Sequence, residues 1–492
     1  MSRLAATPPL LRPAPVLSEY PLQGSFLVAG VVVGTLLGVL LQAWAAGLLF
    51  LSLLWITGLT WRRSEPPIMP FCLAYQWLFV AAPYFAWLLG IQTRQSTQRV
   101  DPSDAATLAA LGYVALALGM RAIWAVLARS MAKASARPFD QGRALSSFRL
   151  FWVVILLNAV NWLYYIQPRQ ISFGFSQLIY AVLAMRLSLF VLLWQLIVRQ
   201  RRGLRRGLIA LTFVLIPMLA STMSGFKVLF FMIFVLIVGE IRLGQVRRLN
   251  LRQRRLAILA GALVSGLVAI GVVWQGAVKP VWRTTVVEGD TITHVQKFIE
   301  VSGAAIGQLD WATGAGSLLE RIGSIDQFAR VLRRVPALIP HEHGRLSGEA
   351  VRHVLVPRFL DPDKPALDSS AMTRRYAGIA IGGLTSIGIG YMAQFYVDFG
   401  VPGMFAAIFF YGILIGFLYA ALVLWAPAAY VTPLLLVLFV DGFDGFESDL
   451  AKQFGGLLMK TVIFLLLAAT AGRMLLRFLR DWQPRQAPAA AR

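Results

Sequence analysis

Most residues that can carry acid–base chemistry in this chain lie in one polar segment, residues 275–386, which we call the island. All four histidines (His294, His341, His343 and His353) and eleven of the 23 carboxylates are in it. Proton transfer needs titratable side chains, and histidine is the one poised near neutral pH. The sequence therefore predicts that the functional site lies in the island.

Arg321 is the most informative single residue of the island. Apolar residues recur at helical spacing over 316–335, which predicts one amphipathic helix ended by the prolines that follow. On this helix Arg321 falls inside the apolar arc, where a guanidinium is costly unless it is paired or binds an anion. Both interpretations stay open, since arginine is well suited to phosphate. The candidate carboxylate partners are Glu300, Asp310 and Asp326.

Two further segments carry cations of the kind that bind a diphosphate. Residues 357–365 read Pro-Arg-Phe-Leu-Asp-Pro-Asp-Lys-Pro, where the prolines fix the direction of Arg358 and Lys364. The turn Ser224-Gly225-Phe226-Lys227 can hold a phosphate through backbone N–H groups and an ammonium group. The alternatives are a solvated charged turn for the first segment and an interfacial anchor for the second.

Candidates for a general base and a metal site come from the same region. In His341-Glu342-His343 the two histidines alternate, but no third ligand accompanies them, so no metal and no cofactor are expected. A single base is the better interpretation, with His343 and Glu320 as the candidates. Asp310, Glu342 and Glu349 are not distinguished from them by spacing.

A sugar-binding rim is predicted from aromatic and charged residues near the end of the island. Arg375-Tyr376 precedes a glycine-rich stretch, and Tyr396 and Asp398 follow it, after Tyr391. Aromatic faces pack on pyranose rings. The alternative is a belt of interfacial aromatics with solvated charges.

The rest of the chain is too hydrophobic for a soluble protein, with 58% hydrophobic residues and a mean hydropathy of +0.68. Long apolar runs predict an all-α integral membrane protein of twelve transmembrane helices. The predicted spans are 24–41, 44–60, 68–91, 105–127, 149–166, 175–198, 207–222, 227–241, 256–274, 402–424, 429–441 and 456–475. The uncharged stretch 24–60 predicts a tight helical hairpin, and 387–399 predicts a re-entrant or interfacial segment.

The net charge of +23 falls in short loops, where it sets orientation and meets anionic lipid rather than nucleic acid. Every second loop is strongly basic, apart from one short uncharged turn at 426–430. This alternation predicts that the tail 1–23 and the basic tail 476–492 are both cytoplasmic. The island, together with the acidic loop 441–449, then lies outside. Arg186, near the middle of the sixth predicted span, is a functional candidate by its depth alone.

Several function classes are disfavoured because their motifs are missing. The chain lacks the P-loop, dinucleotide-binding, G-x-S-x-G and C-x-x-C patterns, and its one cysteine, Cys72, lies in an apolar run. The first extracytoplasmic loop carries no carboxylate pair of the kind that marks glycosyltransferases using lipid-phosphate sugars.

The second half of the chain resembles the Wzy-type oligosaccharide repeat-unit polymerases of bacterial inner membranes. The resemblance rests on residues 224–227, on the Arg321 helix with the segment after it, and on residues 357–365. It also includes Thr385-Ser386-Ile387-Gly388 and the stretch Tyr396-Val397-Asp398-Phe399-Gly400-Val401-Pro402-Gly403. Together these pieces cover about 200 residues in matching order.

The resemblance implies a C-type glycosyltransferase-like fold with the island as one large periplasmic loop. It implies metal-independent, inverting transfer between undecaprenyl-diphosphate-linked oligosaccharides, with a chain-length regulator protein as a further partner. Diphosphate binding would then fall to Ser224, Lys227, Arg321, Arg358 and Lys364, although the family usually has arginine where Lys227 stands.

Three alternatives stay open from the sequence. An O-antigen ligase shares the fold and the donor, but transfers to a lipid A core. A flippase for lipid-linked sugars would favour charges along the spans, which here are almost charge-free apart from Arg186. A non-catalytic assembly scaffold would not depend on the cations for activity.

Overall fold

The fold is helical throughout the described part of the chain, apart from an isolated β-bridge between Leu145 and Arg480. It comes from a computed structural model. The residues described are 24–61, 66–91, 100–135, 145–166, 176–200, 203–220, 227–241, 251–284, 291–322, 325–356, 361, 368–379, 388–443 and 447–480.

Apolar helices occupy the positions predicted for the spans. In the first half they are α1 (Gly24–Leu40), α2 (Trp44–Thr60), α3 (Ile68–Leu88), α4 (Ser103–Val126), α6 (Ser147–Ile166), α7 (Ser176–Gln200), α8 (Leu204–Ala220), α9 (Lys227–Ile241) and α10 (Leu251–Val273). The short basic helix α5 (Ala128–Ser135) lies between α4 and α6, outside the predicted spans. After the island they are α17 (Tyr391–Trp425), α18 (Ala428–Gly442), α19 (Leu450–Ala469) and α20 (Ala471–Leu479).

Five helical stretches among the described residues are long and apolar enough to cross a membrane. They are Ile68–Leu88, Ser103–Val126, Gln253–Trp282, Tyr391–Trp425 and Leu450–Ala469. Six further apolar helices are shorter. The predicted span 456–475 needs a correction, because α19 ends at Ala469, and Thr470, with φ −104° and ψ −95°, breaks the helix before α20.

The predicted hairpin over residues 24–60 is confirmed. Helices α1 and α2 pack along their length and are joined by a three-residue turn in which Gln42 has a left-handed φ of 49°. The stretch has no charge, so nothing in it opposes burial in an apolar environment. Helix α2 in turn packs against α3 and α4.

The centre of the bundle is the packing of α4 against α17. Gly112 faces Ile408, Gly119 faces the Phe409 carbonyl, and the Trp124 indole N–H donates to the Gly416 carbonyl oxygen at 2.9 Å. The contacts advance together along both helices, so α4 runs parallel to residues 401–425 of α17.

Residues 391–399 fold back on the rest of α17 at Gly400. The rings of Tyr391 and Tyr411 lie 5.5 Å apart, and Met392 and Ile408 both contact Gly112. Twenty residues of straight helix would separate such rings by about 30 Å. Gly400 makes the reversal, with φ 67° and ψ −172°. The folded-back segment matches the predicted re-entrant position, while its insertion into a membrane stays a prediction.

Gly400→Ala is expected to destabilise the protein by about 1–3 kcal/mol, because the backbone region that Gly400 adopts is almost restricted to glycine. The melting temperature in detergent measures the loss. Gly456→Ala is the matched control, since Gly456 lies inside α19 with open space around its Cα. Equal melting temperatures for the two variants would contradict the strained reversal.

The island is more helical than its sequence suggested. The prediction of one helix over 316–335 with loops elsewhere is wrong, because separate helices lie on both sides of residues 323–324. The island helices are α11 (Lys279–Thr284), α12 (Thr291–Ile306), α13 (Trp311–Arg321), α14 (Ile325–Arg334), α15 (Arg345–Leu355) and α16 (Ser369–Met372). Residues 274–278 and 373–377 form short π-helical turns next to α10 and α16. Two of these helices begin at N-cap residues that the sequence did not reveal, Asp310 and Asp368.

Contacts at the end of the bundle away from the island join the basic loops. The Arg149 guanidinium donates to the carbonyl oxygens of Phe478 and Arg480, and the Gln200 side chain donates to the Leu145 carbonyl oxygen. Gly239, near the end of α9, packs against Pro66, just before α3. Loops that the charge pattern assigned to one side of a membrane therefore meet in space.

Candidate functional site

The candidate site lies where the island meets the starts of α17 and α19. Side-chain caps fix two of its island helices. The Asp310 carboxylate accepts from the N–H groups of Ala312 and Thr313 at the start of α13, and Asp368 accepts from Ala371 N–H at the start of α16. The Thr313 hydroxyl and N–H lower the pKa of Asp310, which makes that exposed cap a poor general base.

Arg321, the last residue of α13, is bound by Glu447. The distance from its Nη1 to the nearer Glu447 carboxylate oxygen is 2.8 Å, and the Arg321 side chain is 48% exposed. Of the two interpretations of Arg321, an ion pair or an anion site, the structure contains the ion pair. Its partner is a carboxylate 126 residues away in the sequence. Of the three predicted partners, Asp310 caps α13 and Glu300 pairs with Lys297. The pair ties the island to the acidic loop just before α19.

A second cluster surrounds Glu342. Its carboxylate accepts from Arg345 Nε at 2.8 Å, from Arg375 at 2.9 Å and from the Tyr376 hydroxyl at 2.6 Å. Arg345 also donates to Glu349 and to the Tyr376 hydroxyl. These bonds tie the start of α15 to the π-helical turn 373–377. Two predicted rim residues, Arg375 and Tyr376, are thus brought together with a glutamate that the sequence did not single out.

The same hydrogen bonds settle the charge state of this cluster. The bonds from Arg345 and Tyr376 lower the pKa of Glu342 to about 2. Burial and the bond to Glu342 raise the pKa of Tyr376 to about 12. At neutral pH the glutamate is ionised and fully engaged, so it is a weak proton acceptor and a strong structural anchor.

Glu342→Gln is expected to lower the melting temperature at neutral pH, with a deficit that shrinks in acid. The folded-state pKa lies below the usual value, so the stabilisation is present above pH 4.5 and is lost as the pH falls toward about 2. Melting curves in detergent across that interval measure it. Glu349→Gln is the control, because its carboxylate is 60% exposed where it pairs with Arg345. Parallel curves for wild type and Glu342→Gln at all pH values would contradict the assignment.

The two histidines beside Glu342 have different surroundings. His343 is exposed and has a left-handed φ of 49°. His341 lies edge-on to the Tyr396 ring, and its Nδ1 is 3.2 Å from the Val397 carbonyl oxygen. No group of three His, Cys, Asp or Glu side chains among the described residues is arranged to hold a metal ion. His343 is therefore accessible, while His341 packs on the folded-back segment.

Tyr396 and Asp398, predicted at the sugar-binding rim, are buried. Asp398 is 0% exposed and accepts from the N–H groups of Leu346 and Ser347 at 3.0 and 2.7 Å, and from the Ser347 hydroxyl. It therefore caps α15 from a distant part of the chain. The Tyr396 hydroxyl donates to the Val335 carbonyl oxygen at 2.8 Å. In this conformation neither side chain is available to a sugar.

The other predicted site residues are only partly brought to this region. Lys227 begins α9, where its ammonium contacts the Tyr75 hydroxyl and ring. Glu320 is half-buried beside Arg321 on α13. Ser224, Arg358 and Lys364 lie outside the described residues.

Asp449 is a site residue that the sequence did not reveal. It directly precedes α19, two residues after Glu447, and is 1% exposed. Neither of its carboxylate oxygens accepts a hydrogen bond of good geometry from the described residues. The sequence marked the loop only as acidic. A carboxylate directly before an apolar helix was an available signal, but it predicts an ordinary helix cap.

Fold and site together define an all-helical protein with helices that can span a membrane and a polar, charge-paired site at one end of the bundle. The chain belongs to the family described as Domain of unknown function (DUF8712), which matches residues 82–422. The match includes Arg321, Glu342 and Asp398, whereas Glu447 and Asp449 lie after it. No curated protein and no solved structure matches the chain.

Proposed function

We propose that this protein polymerises undecaprenyl-diphosphate-linked oligosaccharide repeat units at the outer face of a bacterial inner membrane. The observation that carries the proposal is the Arg321–Glu447 ion pair. It holds a half-exposed guanidinium directly before α19, a helix long and apolar enough to cross a membrane. A cation at that level meets the headgroup of a lipid-linked donor that enters sideways from the bilayer.

The chemistry of the leaving group fits this arrangement. When the glycosidic bond to the lipid breaks, negative charge develops on the diphosphate, and fixed cations aimed at it lower the barrier. A diphosphate offers Arg321 two oxygens in the geometry that a guanidinium prefers. It can therefore replace Glu447 at Arg321. Arg375, held by Glu342, is a second half-exposed guanidinium in the same region.

The topology in this proposal is twelve spans with both termini cytoplasmic and a C-type glycosyltransferase-like bundle. Two sets of contacts support its assignment of loops to two sides of the membrane. Arg149 joins the start of α6 to the end of α20, both assigned to the cytoplasmic side by charge. Arg321 joins the island to the acidic loop, both assigned to the outside. The shorter apolar helices fit a bilayer by local thinning or by shelter within the bundle.

A deletion strain of the source bacterium tests the function. We expect it to accumulate single lipid-linked repeat units on the outer face and to lose long chains, and a plasmid copy of the protein to restore them. Long chains that form but stay on the lipid would indicate a ligase instead. Single units trapped on the cytoplasmic face would indicate a flippase. Either of these two results contradicts polymerisation.

A further inference from the structure

Asp449 is held in a position that is unfavourable for a carboxylate. The side chain is almost fully buried, and neither oxygen accepts a hydrogen bond of good geometry from the described residues. The Ser369 hydroxyl and the Lys452 ammonium are the groups near enough to favour its charged form. An unpaired buried carboxylate costs several kcal/mol, so such groups are rare in native proteins unless they serve a function. This cost distinguishes Asp449 from Glu342 and Asp398, whose oxygens are all engaged.

The local sequence offers Asp449 an easier alternative that the fold does not use. Asp449 occupies the N-cap position of α19, where an aspartate usually accepts from the first N–H groups of the helix. Here its side chain makes no cap bond. The Leu450 N–H donates instead to the Gln394 side chain at 2.7 Å. The folded-back segment 391–399 thus binds the first N–H group of α19, and the Asp449 carboxylate is not used to cap the helix.

The carboxylate faces the backbone of Gly388. A Cβ atom on Gly388 would clash with Asp449 Oδ1 and with the Glu447 carbonyl oxygen, so a larger residue cannot be accommodated there without a shift. Around this contact lie Lys452, one turn further along α19, and Ser369 at the start of α16. The Lys452 ammonium donates to the Ser369 hydroxyl.

The surroundings of Asp449 make its carboxylate a stronger proton acceptor than an exposed aspartate. Burial raises the pKa of Asp449, and the Asp368 and Glu447 carboxylates raise it further, while the Ser369 hydroxyl and the Lys452 ammonium oppose the shift. A general base is most effective when its pKa approaches the working pH. Glu342 has the opposite character, as its pKa of about 2 shows.

We infer that Asp449 is the general base that deprotonates the acceptor hydroxyl, an inference that rests on the proposed function. The hydroxyl oxygen of the incoming repeat unit attacks the anomeric carbon of the growing chain. The bond from that carbon to the lipid diphosphate breaks, and undecaprenyl diphosphate leaves with the electron pair. The hydroxyl proton passes to the Asp449 carboxylate and then to water. Because Asp449 is buried, the acceptor hydroxyl must displace Gly388 or Ser369 from the carboxylate in order to reach it.

The position of Asp449 suits this role. Arg321, the diphosphate candidate, is held by Glu447, and Asp449 follows Glu447 by two residues. The short segment before α19 therefore carries both Glu447, which contacts Arg321, and the base Asp449. An inverting transfer needs the base and the leaving group on opposite sides of the reacting carbon, so the acceptor hydroxyl at Asp449 and the diphosphate at Arg321 would lie on opposite sides of that carbon.

Asp449→Asn separates this role from a structural one. The variant keeps the shape and removes a buried charge, so its melting temperature should equal or exceed that of wild type, with a larger advantage at higher pH. The sign follows because a raised pKa in the folded state penalises ionised Asp449, and stability falls as pH rises through that pKa. Polymerisation should fall by about 100-fold or more, the usual contribution of a general base.

The assay uses the purified full-length protein in liposomes, with lipid-linked repeat units extracted from the deletion strain. Thermal shift with undecaprenyl diphosphate checks donor binding, which Asp449→Asn should retain. Polymerisation by this variant within about threefold of wild type would overturn the base assignment and leave the proposed function standing. Absence of polymer from folded wild-type protein would overturn the proposed function, and the base assignment with it.

Asp449→Glu keeps the test decisive if the asparagine variant does not fold. It retains a carboxylate but moves it by one methylene group, so activity should fall and the pH–rate profile should shift. The exposed Glu349→Gln should leave the profile unchanged. A profile for Asp449→Glu that matches wild type would also overturn the assignment.

Discussion

Arg321→Ala is expected to abolish polymer formation while the protein still inserts and folds. Loss of one preorganised donor to a developing negative charge typically lowers a rate by about 100- to 1000-fold. Product ladders on a gel, normalised to the folded protein recovered, measure the effect. Arg333→Ala is the matched control, because Arg333 is an exposed arginine on the neighbouring island helix α14. Wild-type chain lengths made by the Arg321→Ala variant would show that Arg321 is not part of the site.

Glu447→Gln shows whether Arg321 acts on substrate or only as a structural tie. It breaks the ion pair as Arg321→Ala does, but leaves the guanidinium in place. If Arg321 binds the diphosphate, Glu447→Gln retains polymerisation and Arg321→Ala does not. If the ion pair only holds the island to α19, both variants fail together and both lose melting temperature. Arg321→Lys, with a charge but no planar fork, should lie between the two outcomes.

Asp398→Ala is expected to cause a larger loss of stability than Gly400→Ala or Glu342→Gln. It removes a fully buried carboxylate and leaves the buried N–H of Leu346 and the partly buried N–H of Ser347 without their acceptor. Hydrogen bonds to a charged group contribute about 1.5–3 kcal/mol each, so a loss of about 3 kcal/mol or more is expected. Folded yield and melting temperature in detergent measure it.

Glu349→Ala is the control for Asp398→Ala, since it removes an exposed carboxylate from the same helix that Asp398 caps. Asp398→Asn, which keeps one acceptor oxygen, should be intermediate. Normal folding of Asp398→Ala combined with loss of activity would restore the predicted sugar-binding role and contradict the structural one.

The helical bundle was predictable because apolar runs and their basic loops specify helices directly. Apart from the basic helix α5, the helix positions from α1 to α10 follow the apolar runs, and the hairpin over residues 24–60 follows from the missing charge. The number of membrane crossings does not follow as directly, because several helices are shorter than a bilayer needs. Contacts between distant segments, such as Arg149 with α20, show which helix ends lie together, and hydrophobic periodicity does not contain that information.

The island is harder to predict, and one error there leads to another. The sequence predicts a loop over residues 345–355, so nothing in it indicates that Asp398 has a helix to cap. A carboxylate in the stretch Tyr396-Val397-Asp398-Phe399 then suggests a ligand-binding rim, whereas the structure buries it against α15. The residue type of Asp398 does not predict its role when the helix that it caps is not itself predicted.

The site could be predicted only in part, because its ion pair joins residues that are far apart in the sequence. Arg321 stands out by its place on a helix, but its partner Glu447 is 126 residues away, and no local rule connects them. Asp449 escapes prediction for the opposite reason. Its position predicts an ordinary N-cap, and only the structure shows that its side chain makes no cap bond while Gln394 binds the first N–H group of α19.

Reconstitution tests the central claim most directly. Purified wild-type protein is placed in liposomes with undecaprenyl-diphosphate-linked repeat units extracted from the deletion strain, and the products are separated on a gel. We predict a regular ladder of chain lengths with wild type, and single units with Arg321→Ala or without protein. Single units that persist with folded wild-type protein would contradict polymerisation by this chain.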